Sequence, residues 1–96
     1  MSRVPSARLA LTVIGPRGLE VEADVLVVSL PSPDGQRGIL PGHRPLVLAL
    51  GRGELTYKDE VREGRLRIRG GYAEIRPEAV LAFVEPSDEE DEPSPS

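Results

Sequence analysis

The chain contains no cysteine and no tryptophan, and its 96 residues include only two tyrosines, one phenylalanine and one histidine. The missing thiols exclude disulfide staples, thiolate nucleophiles and sulfur-ligated zinc, and fit a reducing compartment. The scarcity of aromatic residues argues against stacking platforms for single-stranded nucleic acid. Long hydrophobic runs are also missing. Runs such as Val25-Leu26-Val27-Val28 and Leu46-Val47-Leu48-Ala49-Leu50 are far short of the roughly 20 residues a membrane helix needs. The N-terminus carries no apolar segment of signal-peptide length, so no export signal is expected. Helix-permissive stretches are few. Leu19 to Leu30 is the longest segment without glycine or proline, and it is dense in valine. Glu54 to Glu63 is the next, and its apolar positions form no stripe.

What is present is turn chemistry, with ten glycines and ten prolines. A chain this size hides about 60–65% of the surface its unfolded form exposes, so one thin core is expected. The net charge of −4 is unevenly placed. Five of the sixteen acids fall in Asp88-Glu89-Glu90-Asp91-Glu92, and without them 12 basic residues face 11 acidic ones. A near-neutral body of this kind is a poor nucleic-acid binder.

Period-two alternation recurs along the chain. Arg8 to Ile14 sets Leu9, Leu11 and Val13 against Arg8, Ala10 and Thr12, and Gly15-Pro16-Arg17-Gly18 then turns. Leu19 and Val21 alternate with Glu20 and Glu22, and Ala23-Asp24 reads as a break or bulge. Val25 to Leu30 is apolar on both faces and predicts a central strand. Pro31 to Gly38 predicts a loop, because Pro31 and Pro33 lack ladder donors and Asp34-Gly35 favours a reversal. Pro45 to Leu50 reads as a second two-faced strand. Leu55 and Tyr57 share a face, and Lys58 to Gly64 connects a hairpin. Arg65 to Arg69 points Leu66 and Ile68 inward and its three arginines outward. Gly70-Gly71 predicts a sharp bend or bulge. Tyr72 to Arg76 and Ala79 to Val84 follow around a Pro77-Glu78 turn, and Pro86 ends the series. The expected fold is all-β: a small antiparallel β-sandwich of about eight to ten short strands. Residues 1–7 are expected as a flexible lead, 8–85 as the sandwich domain and 86–96 as a disordered acidic tail.

The chain is organised around Gly38-Ile39-Leu40-Pro41-Gly42-His43-Arg44-Pro45-Leu46. Pro41 presets its φ and Gly42 can take positive φ, so Leu40 to His43 predicts a type II turn. Pro45 pushes Arg44 into an extended conformation. Ile39, Leu40 and Leu46 are expected to bury, with His43 and Arg44 held outside. His43 lacks a nucleophile or a second ligand at suitable spacing. A contact role for it outweighs a catalytic or metal one. Pro33 to Gly38 is followed by neither a helix nor Lys-Ser/Thr, so it is not a phosphate-cradling loop. It reads equally as a plain surface loop or a contact loop. Arg65, Arg67 and Arg69 read first as a solvated strand face, and second as a patch for an acidic partner.

Leu9 to Val84 resembles the N-terminal β-sandwich domain of the epsilon subunit of rotary ATP synthase. The resemblance rests on an ordered series: Gly15-Pro16-Arg17-Gly18, Asp24-Val25, Asp34-Gly35-Gln36-Arg37-Gly38-Ile39-Leu40-Pro41-Gly42-His43-Arg44-Pro45-Leu46, Gly53-Glu54-Leu55 and Gly70-Gly71-Tyr72-Ala73-Glu74-Ile75. It implies a non-catalytic central-stalk subunit without cofactor or metal, which couples ion-driven rotation of the c-ring to ATP synthesis. The implied partners are the gamma subunit and the polar loops of the c-ring. The implied place is the cytoplasmic face of the bacterial plasma membrane, as a peripheral part of the complex. Asp34, Gly35, Gln36 and Arg37 would approach the ring, and His43 and Arg44 would lie near gamma. Gly38, Pro41, Gly42, Pro45, Gly70 and Gly71 would shape the turns. Family members continue into two C-terminal helices that regulate hydrolysis and can bind ATP, and those functions are expected to be absent here. Arg44 stands where a small residue is usual, and Arg69 where serine often precedes the two glycines. The alternative reading is a free-standing β-sandwich binding module derived from the same fold.

Overall fold

The computed structural model describes residues 8–87. The strands, in chain order, are β1 (Leu9–Gly15), β2 (Gly18–Val25), β3 (Val27–Ser32), β4 (Gly35–Ile39), β5 (Leu46–Leu50), β6 (Gly53–Lys58), β7 (Glu63–Arg76) and β8 (Ala79–Pro86). There is no helix among the described residues. The expectations for residues 1–7, and for the acidic tail from Asp88 onward, lie outside this range. The tail's expected first residue, Pro86, instead closes β8, and Ser87 N–H donates to Arg67 O at 3.0 Å.

The strands join in the order β2-β1-β8-β7-β6-β3-β4, with β5 added alongside β7. The long strand β7 makes this sheet into a sandwich. Its first half, Glu63 to Ile68, pairs with β6. Its second half, Gly71 to Ile75, pairs with β5. One layer is therefore β2-β1-β8-β7-β5, and the other is β7-β6-β3-β4. Every strand places at least one buried apolar side chain between the layers, among them Leu11, Val25, Leu30, Ile39, Leu55, Ile68, Ile75 and Val80.

The two halves of β7 have opposite parity. Leu66 and Ile68 face inward in the first half, and Ala73 and Ile75 in the second. The step from 68 to 73 is odd, so an unbroken ladder would turn one half inside out. The register shift between Ile68 and Gly70 absorbs the extra residue. The bend or bulge expected at Gly70-Gly71 thus falls one residue earlier, at Arg69, within one continuous strand, and the two glycines pair regularly with Glu85 and Val84. Gly71 has φ 141°, and a Cβ there would meet Phe83 O in the backbone of β8 at 2.1 Å.

All pairings are antiparallel except β1 with β8, which run parallel from Ala10↔Ala79 to Ile14↔Phe83. This pair joins the first strand to the last and makes the sheet mixed.

Several local expectations are corrected. Val25 to Leu30 is not one central strand. The chain bends at Leu26, whose N–H donates to Lys58 O at 2.9 Å, and crosses from one layer to the other. The run is apolar because Val25 is buried from β2, and Val28 and Leu30 from β3. Ala23 and Asp24 are no break, since they pair regularly with Leu11 and Ala10. The irregularity lies at Glu20, between the Val13↔Val21 and Ile14↔Leu19 pairs. That bulge throws Leu19 out of phase, leaving it 59% exposed. Leu46 to Leu50 is one-faced, because β5 is an edge strand with Val47 68% exposed on its outer side. Leu40 is exposed as well, whereas Ile39 is buried.

Pro31 to Gly38 is not a loop. Pro31 pairs with Gln36 and Ser32 with Gly35, so only Pro33-Asp34 turns. Pro31 is tolerated because its carbonyl accepts from Gly51 N–H at 2.8 Å. The carbonyl thus faces away from β4, and a strand residue's N–H points to the same side as its carbonyl. The ladder between β3 and β6 has already ended at Ser29. The donor that proline lacks is therefore not needed.

Candidate functional site

The sequence-predicted contact residues fall into two groups at opposite ends of β4. The strand has five residues, so it separates the groups by about 17 Å.

The first group is the tip of the β3–β4 hairpin. Pro33, Asp34, Gly35, Gln36 and Arg37 are all exposed. The tip is nonetheless pinned. Ser32 Oγ accepts from Asp34 N–H at 3.2 Å and donates to Gly35 O at 2.8 Å. Gln36 Nε2 donates to Ser29 Oγ at 2.8 Å and to Glu54 O at 3.3 Å, tying β4 across β3 to β6. With the bond from Gly51 to Pro31, the hairpin is tied to the turn between β5 and β6. Gln36 is therefore a brace, while Asp34 and Arg37 present opposite charges outward. Gly38 lies within the ladder, opposite Ser29, and does not turn the chain.

The second group is the corner between β4 and β5. His43 N–H donates to Leu40 O at 3.2 Å, and Gly42 has φ 88°. Together these make the predicted type II turn. Gly42 N–H donates to Pro77 O at 2.7 Å, which ties the corner to the turn between β7 and β8. Pro45 directly precedes β5. His43 Nδ1 lies 2.8 Å from Arg44 O. A carbonyl only accepts, so Nδ1 carries the proton and Nε2 is left as an acceptor in the neutral ring. Arg44 is exposed and His43 half-buried.

Among the described residues, the side-chain hydrogen bond of His43 goes to the Arg44 carbonyl and to no acid or nucleophile. No group of three or more His, Cys, Asp or Glu among the described residues could hold a metal ion. A recess of about 550 Å³ lies between β2 and the β6–β7 connection, lined by Glu22, Asp24, Tyr57, Lys58 and Asp59, and His43 is not part of it.

That connection holds the electrostatically perturbed groups, which sequence reading did not single out. Asp59 Oδ1 accepts from the backbone N–H groups of Val61 and Arg62, each at 2.8 Å. These bonds, Arg62 first, hold its carboxyl below its ordinary value. Arg8 donates to both oxygens of Glu60 at 2.8 and 2.6 Å. The contact pushes the Arg8 pKa up and the Glu60 pKa down. The Asp59 pattern was accessible in principle, since aspartate commonly caps the backbone two residues on. The Arg8–Glu60 pair spans 52 positions and has no local signal.

The ordered strands, the bulge and both corners now stand beside known proteins. Residues 8–86 match the family described as ATP synthase, Delta/Epsilon chain, beta-sandwich domain. This chain belongs to that family. It is 34% identical over 86 residues to the ATP synthase epsilon chain of Dehalococcoides mccartyi, covering 90% of this chain and 61% of that one. It is 36% identical over 84 residues to the ATP synthase epsilon chain of Lawsonia intracellularis, covering 88% and 63% respectively. The chain thus spans less than two thirds of the length of these relatives. Among solved structures, it is similar to a chain of the Euglena gracilis mitochondrial ATP synthase, an OSCP/F1/c-ring assembly. The TM-score is 0.75 at 23% identity, covering 86% of this chain and 53% of that one. A chain of the Tetrahymena thermophila mitochondrial ATP synthase central stalk and c-ring gives a TM-score of 0.70 at 13% identity, covering 86% and 68%. At these identities the likeness to the two assemblies concerns the delta/epsilon-type fold.

Proposed function

We propose that this chain is a non-catalytic rotor subunit of an ATP synthase, of the epsilon type. It couples ion-driven rotation of the c-ring to ATP synthesis by bridging two partners. The hairpin tip at Asp34, Gly35 and Arg37 meets the polar loops of the ring. The corner at His43 and Arg44 meets the gamma subunit. The chain would then sit as a peripheral part of the complex at the cytoplasmic face of the bacterial plasma membrane.

The observation that carries this reading is the bracing of the exposed hairpin. A connector under torque needs contact loops that do not yield independently of their scaffold. Here the tip is bonded internally through Ser32, across the sheet through Gln36, and sideways through Gly51. The corner is similarly bonded to Pro77. Load applied at either end enters the sheet through these side-chain and backbone hydrogen bonds.

Isothermal titration of the full chain with purified cognate gamma subunit tests the reading. Stable 1:1 binding is expected, as an interface of standard size buries about 1,600 Å² in total. The double variant His43→Ala, Arg44→Glu should weaken it by about tenfold or more, equivalent to about 1.4 kcal/mol. No heat of binding would overturn the rotor assignment and favour a free-standing binding module.

A further inference from the structure

The first half of β7 presents Arg65, Arg67 and Arg69 outward, all exposed. One acid forms an ion pair with them: Glu54 Oε2 lies 3.9 Å from Arg65 NH1, and the Arg65 side chain is 66% exposed, while Glu20 and Glu85 line a recess beside Arg69 without an ion pair to it. Arg67 and Arg69 form no ion pair among the described residues. This stretch of β7 is also an unfilled edge. β6 pairs with one side of Glu63 to Ile68, whereas β8 reaches the other side only at Ile68. Past Pro86 the approach continues by one bond, from Ser87 N–H to Arg67 O. The Arg67 carbonyl thus faces the open edge. Backbone groups two residues apart point to the same side, so those of Arg65 face it too.

The chain arrives at this strip just before its most acidic run. Asp88, Glu89, Glu90, Asp91 and Glu92 follow Ser87 directly, and Ser87 is bonded to the middle arginine of the row. We propose that the chain's own residues 88–92 dock against Arg65, Arg67 and Arg69 and cover this basic strip in cis. Three observations support the pairing. The charges are complementary. The tether is as short as a tether can be, which makes the encounter intramolecular and independent of protein concentration. The open edge offers the Arg65 backbone groups to an extended segment, as in strand addition. An acidic partner seeking the strip would have to displace this run, so its binding would be weaker than the arginine row alone permits.

The absence of cysteine makes the test direct. Ser94→Cys creates the only thiol in the full chain, and a nitroxide attached there broadens amide NMR signals of nearby residues. Spectra are recorded at about 10 mM and about 1 M salt, where the Debye length is about 30 Å and about 3 Å. Broadening concentrated on Glu63 to Arg69 is expected at low salt, relieved at high salt and unchanged on dilution. The triple variant Arg65→Gln, Arg67→Gln, Arg69→Gln should abolish it while keeping the strand circular dichroism. The proposal is overturned if β7 is broadened no more than the rest of the sheet. Broadening that survives 1 M salt or the triple variant also overturns it. Loss on dilution would do so too, by assigning the contact to a second copy.

Discussion

Gly71→Ala is the substitution that most directly probes the strand uniting the two layers. Its Cβ would lie 2.1 Å from Phe83 O and 2.9 Å from Val84 Cα, both backbone atoms. An unstrained carbon–oxygen contact is about 3.3 Å or more, so β8 would have to retreat by about 1 Å. The retreat falls on the Gly71↔Val84 and Tyr72↔Phe83 pairs, and each ladder hydrogen bond lost costs about 0.5–1.5 kcal/mol. Holding alanine at φ 141° adds about 1–3 kcal/mol of backbone strain. Together these give about 2–6 kcal/mol, a large share of the 5–15 kcal/mol typical of a domain's whole stability. Urea unfolding followed by far-UV circular dichroism reads the effect. With a slope of about 1 kcal/mol per M, the midpoint should fall by about 2 M or more. Two glycines serve as controls. A Cβ on Gly70 would meet only Leu50 O at 3.6 Å, and one on Gly38 would meet nothing within 4 Å, so both alanine variants should stay within about 1 kcal/mol of the wild type. A Gly71→Ala protein as stable as these controls would refute the account of the β7 crossing.

Three further outcomes are expected. Gly42→Ala, which forces alanine to φ 88° in an open site, should cost about 1 kcal/mol, with Gly42→Asn milder, read as shifts in urea midpoint. Gln36→Ala should leave global stability nearly unchanged but raise hydrogen-exchange rates in the β3–β4 hairpin, because it removes the bonds to Ser29 and Glu54. Asp59 and Glu60 have carboxyls lowered in the folded state. Their contribution is therefore fully present above the ordinary carboxylate range, near pH 4. It is lost as the pH falls through the depressed folded values. Asp59→Ala should lower stability in the neutral region and flatten the acid limb of a stability–pH curve, so that the variant and wild-type curves converge at low pH.

Much of the fold is written in local alternation. The inward sets Leu9-Leu11-Val13 and Leu66-Ile68 follow from period two, and the β4–β5 corner from Pro41, Gly42 and Pro45. A bulge just before Gly70-Gly71 is legible for a stronger reason: the apolar parity changes across it, and only an extra residue, Arg69, reconciles the two halves. What escapes local reading depends on neighbours distant in sequence. The parallel union of β1 with β8 is one case. The bend at Leu26 is another, since an apolar run crossing between layers looks the same as a strand covered on both faces. Pro31 escapes local reading because a missing donor matters only where a partner strand asks for it, and the β3–β6 ladder has ended at Ser29. Val47 and Leu40 look like core and lie on an edge and a corner. At the candidate site, Pro41 and Gly42 are legible as turn residues from their chemistry, whereas Gly38 sits within the ladder. The bracing role of Gln36 is not legible, because its partners Ser29 and Glu54 are set by strand register.

The coupling role is tested most directly by ATP synthesis under an imposed ion gradient. The assay uses vesicles carrying the cognate complex stripped of its epsilon subunit, with and without the purified chain. Restored synthesis is expected with the wild-type chain, and a much weaker recovery with a variant reversing charge at Asp34 and Arg37. Synthesis that is the same with the chain as without it, although gamma is bound, would contradict the account.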